Sequence, residues 1–228
     1  MAEKSFGHRV YLALPNMRLV RPNKDLTFES SMPKQKVNKE YVVHQALKMF
    51  RKKSYHQCTM ADIGEAVGLL KGSIYHYFSS KEELMKEVMI YVHKFFKDQV
   101  FVHAYDKNLP ARVRLEKMIQ VAEHVFLGPE NGNIMGNIGL ETAHVNPEFQ
   151  ELIQVFFKQY MKALKTIYAE TYPEEKAQEL AEQAMAEMEG SLMLSRIFNK
   201  KDYFLKANRR ILERMDTVSN GRLAKTRN

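Results

Sequence analysis

Between Thr59 and Leu84 the chain reads TMADIGEAVGLLKGSIYHYFSSKEEL, and its chemistry gathers at Lys71, Gly72, Ser73, Tyr75 and His76. A lysine, a hydroxyl, a phenol and an imidazole can each meet a phosphate oxygen or a base edge, and no acid stands among them to repel either. Gly72 takes up no room where backbone would approach a phosphate or a groove floor. The interleaved apolar residues Leu70, Ile74, Tyr77 and Phe78 fall on one side of a helix, so the polar set faces outward.

The flanking residues supply the frame that such a face needs. Thr59 precedes Met60, Ile63, Gly64 and Val67 at helical spacing, and Asp62 three residues on completes an approximate capping box. Gly68 follows, where the chain must reverse tightly and positive φ is easiest for glycine. Ser79 and Ser80 cap a further helix from Lys81, with Glu82 and Glu83 in its first turn, where the helix dipole favours acids. A preceding helix over about residues 38–53 places Val43, Ala46, Leu47 and Phe50 on one face. Two short helices meeting at a glycine, braced by a third, make a helix-turn-helix DNA reader.

Residues 43–84 resemble the DNA-binding domain of the TetR family of one-component bacterial regulators. The matching residues are Ala46, Phe50, Tyr55, Thr59, Asp62, Ile63, Ala66, Gly68, Lys71, Gly72, Ile74, Tyr75, Phe78, Lys81, Glu82 and Leu84. The resemblance implies that Lys71, Gly72, Ser73, Tyr75 and His76 meet double-stranded DNA, while Thr59 and Lys81 hold phosphates. Four positions depart from the family pattern. Ser54 stands where glycine is usual and Gly64 where alanine is usual. Leu70 replaces the small polar cap of the recognition helix, and His76 and Tyr77 exchange places in the aromatic run.

Charge and composition agree with a nucleic-acid partner. Of the net charge of +8, residues 1–85 carry +6 and residues 86–228 carry +2, so positive charge collects around the reader. The single cysteine, Cys58, excludes an internal disulfide framework and fits a reducing cytoplasm. No run of 18 apolar residues exists, so no membrane span is expected, and the first 31 residues lack the apolar core of a secretion signal. That opening stretch, with Pro15, Pro22, Arg9, Arg18, Arg21 and Lys24, has no period. It reads as a loose arm, or as a segment preceding a true start at Met32.

From Lys81 onward the pattern is helical and no alternating strand pattern competes, giving an all-α chain. The organisation expected is an extension over 1–35, a three-helix DNA-binding domain over 36–84, a larger helical ligand-binding and dimerisation domain over 85–220, and a tail over 221–228. The glycines of Gly132-Asn-Ile-Met-Gly136-Asn-Ile-Gly139 lack the strand and the Gly-Lys-Ser/Thr that a nucleotide loop requires. They fit a short helix near 134–144 that packs closely against its neighbours.

The family resemblance implies an effector cavity in the second domain, and direction and depth place Phe95, Phe126, Met135, Ile138, Phe157, Met161 and Met188 near it. Glu141 and His144, one turn apart, are expected to orient a polar group of an otherwise apolar small molecule. It also implies that the last two helices pair with their copies in a homodimer, with Ala184, Leu192, Leu205, Ile211 and Leu212 at the interface. Two-fold pairing doubles a short binding site and makes it palindromic. The function expected is that of a repressor released from its operator by the effector; the alternative is a DNA-binding regulator controlled by a partner protein or by abundance. An enzyme on this scaffold is disfavoured: the eight histidines are scattered without metal-ligand spacing and no nucleophile carries a motif. Neither a metal nor another cofactor is expected.

Overall fold

Helices are specified by their caps and by which faces they bury, and both are visible in the computed structural model, which describes residues 37–70, 72–128, 133–142 and 146–215. The 1–35 extension, the Met32 start and the 221–228 tail all lie outside the described residues, as do Lys71 and His144.

Helix α1 (Lys39–Gln57) starts where the Asn38 side chain accepts the Tyr41 N–H at 2.8 Å, and it buries Val42, Val43, Ala46, Leu47 and Phe50. It continues beyond the expected end near residue 53, through a kink at Ser54, where φ is 65° and ψ 168°. Helix α2 (Met60–Ala66) carries the expected capping box, with Thr59 and Asp62 each satisfying the other's backbone N–H. Its end is a Schellman motif. Gly68 adopts φ 73°, its N–H reaches Glu65 O at 3.0 Å, and the Leu69 N–H reaches Gly64 O at 2.8 Å. A single 3-10 turn (Ser73–His76) then precedes α3 (Lys81–Gln99), which is capped by Ser80.

Helix α3 links the two halves. Its first turn belongs with α1 and α2, and its later turns bury Val88, Met89, Val92 and Phe96 against the larger bundle. A 3-10 segment (Phe101–Tyr105) leads on to α4 (Ala111–Leu127), α5 (Ile134–Thr142), α6 (Pro147–Tyr168), α7 (Glu174–Ile197) and α8 (Asp202–Glu213). Pro110, Pro147 and Pro173 mark three of these starts, since proline costs a helix nothing where its N–H would be unpaired.

The bundle core is aromatic. Phe96 packs on Phe156 and Phe101 on Tyr160, both with ring centroids 5.1 Å apart. Arg114 is buried beside this core, where it donates to Ala104 O at 2.7 Å and pairs with Glu170. Buried charge is costly unless paired in this way. No strand occurs among the described residues, and none of their helices is long and apolar enough to cross a membrane.

Candidate nucleic-acid interface and regulatory core

The outward polar face is held by what lies behind it. Ile74 and Phe78 are buried against α1 and α2, and the Tyr77 hydroxyl donates to Val37 O at 3.2 Å. This leaves Ser73 partly exposed and Tyr75 and His76 outside, Tyr75 at 52%. Of the exchanged pair in the aromatic run, Tyr77 is therefore the anchor and His76 the outward group. Gly72 has ordinary helical φ, and a Cβ there would meet nothing within 4 Å, so the fold itself does not demand glycine.

The expected inward position of Leu70 needs correction. It is 82% exposed, because helical bonding begins only with the Ser73 N–H, which donates to Leu70 O at 2.8 Å. Leu70 thus stands ahead of the helix, where it offers no side-chain acceptor, and the segment closes only one 3-10 turn instead of a full recognition helix.

The two residues expected to hold phosphates both have partners inside the chain. The Thr59 hydroxyl donates to Asp62 Oδ2 at 2.9 Å and also accepts the Asp62 N–H. Lys53, 2.7 Å from Asp62, and then Thr59 hold the Asp62 carboxyl down to about 2. Lys81 Nζ donates to Tyr55 O at 3.0 Å and sits 4.4 Å over the Tyr55 ring.

Tyr55 joins the two halves of the protein. Its N–H, turned outward by the Ser54 kink, donates to Glu141 Oε2 of α5 at 3.1 Å. Its hydroxyl donates to Glu82 of α3 at 3.0 Å, and its ring meets Phe149 of α6 edge-on at 5.4 Å. Burial, followed by Glu82, pushes the Tyr55 phenol up. Glu141 therefore serves the α1–α5 contact and does not project among the effector residues, which corrects the role expected of it. Nothing local in the sequence announces a bond between residues 86 positions apart.

Of the other residues expected around an effector, Phe126, Met135, Ile138 and Met188 are closed within the core, while Phe95, Phe157 and Met161 are half-buried. Two surface clefts, of 410 and 490 Å³, lie elsewhere. The first runs between the end of α1 and α5 and is lined in part by Lys53, Asn137 and Glu141; the second lies beside Phe101, Tyr105 and Gln159. A polar residue that sequence reasoning missed lies on α7: Glu189, which accepts from the Asn133 side-chain amide. Burial pushes its carboxyl up to about 7, against the lowering effect of Asn133. Among the described residues, no group of three His, Cys, Asp or Glu could hold a metal ion.

The interface residues also divide. Ala184 and Ile211 are fully buried within the protomer, where α6, α7 and α8 pack together, so they are spent on the fold; Leu192 and Leu212 are half-buried and Leu205 is exposed. Helix α7 has a second stripe, at Ala186, Gly190, Met193 and Ile197, which turns outward and reaches 65% exposure at Ile197. Its spacing of four, three and four was legible in the sequence and overlooked.

Residues 42–88 match the family model described as bacterial regulatory proteins, tetR family, and residues 114–210 match that of the transcriptional regulator LmrA/YxaF-like C-terminal domain. Over 162 residues the chain is 25% identical to the HTH-type transcriptional regulator YxaF of Bacillus subtilis (strain 168), a stretch covering 69% of this chain and 84% of that protein. It is 41% identical over 44 residues to the HTH-type transcriptional repressor KstR2 of Mycobacterium tuberculosis (strain CDC 1551 / Oshkosh), covering 19% of this chain and 22% of that one. A crystal structure of a TetR transcriptional regulator from Legionella pneumophila has the same fold, with a TM-score of 0.71 at 19% identity, covering 78% of this chain and 97% of that one.

Proposed function

Because the chain belongs to the TetR family of bacterial DNA-binding regulators, we propose that it is a homodimeric repressor which binds a palindromic operator in the cytoplasm and leaves it when a small, largely apolar effector enters the bundle. The observation that carries this reading is the outward Ser73, Tyr75 and His76 face, backed by the buried anchors Ile74 and Phe78. One such turn reads few bases. The outward stripe on α7 suits pairing with a second copy: Ala186 and Gly190 let helices approach closely, and Met193 and Ile197 supply apolar area. Two heads then meet successive major grooves about 34–36 Å apart.

Release follows from the route through Tyr55. An effector that shifts α5 also shifts Glu141, and with it the end of α1 and the Lys81 end of α3. The population moves by no more than the effector's differential affinity for the two head spacings. Control by a partner protein is the second reading, favoured by the closed packing of Met135, Ile138 and Met188. Selection of bound duplexes from a random pool tests the first: an inverted repeat with one-turn spacing is expected, and enrichment of no symmetric site refutes it.

A further inference from the structure

Leu69 and Leu70 are neighbours with the same side chain and opposite placements. The Leu69 N–H closes the turn after α2 on Gly64 O at 2.8 Å, and its side chain packs against the core. Leu70 is 82% exposed, so the fold gains almost no apolar burial from it. Its carbonyl is the first acceptor of the reading turn, because the Ser73 N–H donates to it at 2.8 Å. The residue is thereby fixed at the N-terminal edge of that turn. This is a poor place for leucine. A serine or threonine there could accept an otherwise unpaired N–H, and the turn has no side-chain cap without one.

Single exposed leucines are ordinary on protein surfaces, so exposure alone says little. The surroundings of this one say more. Gly72, two residues on, is exposed, and even a Cβ there would meet nothing within 4 Å, so the surface is open for a duplex to come close. Ser73 is partly exposed, and Tyr75 and His76 stand outside on the turn that follows. Helix-turn-helix readers meet base edges with the N-terminal residues of the recognition element, which is where Leu70 stands. Its chemistry then limits what it can read, since an isobutyl group has neither donor nor acceptor. In the major groove only thymine presents an apolar group, its 5-methyl; against a G·C pair leucine would cover polar edges and pair with none of them. We propose that Leu70 is a specificity-determining residue of the DNA reader, packing on the methyl group of one thymine in each half-site of the operator. Ser73, Tyr75 and His76 supply hydrogen bonds to polar edges and phosphates, and Leu70 adds an apolar reading beside them.

This inference rests on the DNA-binding reading of the same face, and one experiment keeps the two apart. In the duplex selected from a random pool, thymines are replaced one symmetric pair at a time by deoxyuridine, which keeps every hydrogen-bonding group and removes only the methyl. Fluorescence anisotropy then measures the affinity of the full chain for each duplex at one fixed salt concentration. One pair of positions is expected to lose about fourfold per half-site, the worth of one buried carbon, or about fifteenfold for the two together. Leu70→Ser, which restores a side-chain acceptor at the start of the turn, should bind the thymine and uridine duplexes alike, and Leu70→Ala should keep only a small part of the difference. Because Leu70 is exposed, both variants should fold as the parent does. A merely structural role would change affinity for both duplexes by one factor and leave the methyl difference intact, which overturns the proposal. It is overturned equally if no thymine responds to loss of its methyl, or if the response survives Leu70→Ser, which would assign the methyl to another side chain such as Tyr75. Selection of an asymmetric site refutes the palindromic reading, and the same scan made singly along that site still decides the role of Leu70. If no sequence is preferred to any other, both readings fall.

Discussion

Replacing Ser54 with glycine should stabilise the protein, although it removes a side chain from inside a helix. At φ 65° and ψ 168°, Ser54 occupies a region that is open essentially to glycine alone. A residue held there costs about 1–3 kcal/mol, and glycine removes that strain. Glycine in turn lowers folding stability by about 0.5–1 kcal/mol, because the unfolded chain gains freedom. From the middle of both ranges the net gain is about 1 kcal/mol, which for a chain of this length raises the melting temperature by about 2–4 °C. Thermal melts followed by circular dichroism measure it, with Ser54→Ala as the control that keeps a Cβ and therefore the strain. Asn199, at φ 50°, supplies the contrast. Asparagine tolerates left-handed backbone, and this one closes a Schellman motif after α7, so Asn199→Gly should gain much less. A Ser54→Gly protein that melts no higher than the parent, or no higher than Ser54→Ala, refutes the assignment of strain to this kink.

Tyr75→Ala should weaken operator binding by about 1–3 kcal/mol in an anisotropy titration, whereas Tyr77→Phe, which loses only the bond to Val37, should lower stability and leave DNA affinity near the parent value. Ile197→Glu places a charge in the outward stripe of α7 and should convert the dimer to monomer in sedimentation velocity without unfolding it; a dimer of unchanged affinity counts against that interface. Thr59→Ala removes the capping box of α2 and should cost about 1 kcal/mol in urea unfolding. Glu189 gives a pH dependence with a fixed sign. Its folded carboxyl sits near 7 against an ordinary 4.5, so the folded state holds the proton more tightly. The stability it contributes is complete below about pH 4.5 and is lost as pH rises through about 7. Glu189→Gln should therefore outlast the parent by about 2–3 kcal/mol above neutrality and match its pH trend in acid.

The elements legible in the sequence were those set by neighbours in the chain. The Thr59 and Ser80 caps, the Gly68 reversal and the proline-marked starts of α4, α6 and α7 each depend on residues within four positions, and each stands as read. Leu70 misled because the count of an apolar stripe ignores where hydrogen bonding begins: the stripe reached back one residue before the helix did. Helix α7 was ambiguous for another reason. It carries one small-residue stripe at Ala177, Ala181 and Ala184 and another at Ala186 and Gly190, and periodicity does not say which of two apolar faces meets its own protomer. Tertiary packing chose the first. Glu141 and Glu189 were opaque because their partners, Tyr55 and Asn133, are 86 and 56 positions away.

Two of the bonds at position 55 are made by backbone atoms that every residue except proline owns. One amide hydrogen answers to Glu141 and one carbonyl oxygen to Lys81. Exchanging side chains one at a time along α1, proline apart, tests the Tyr55 ring and hydroxyl but leaves that amide and that oxygen in place, so such a survey passes over these two bonds between the halves. The replaceable ends are the glutamate and the lysine. Drift at residues 141 and 81 can therefore retune how firmly the reading head follows the bundle, while residue 55 itself stays unchanged.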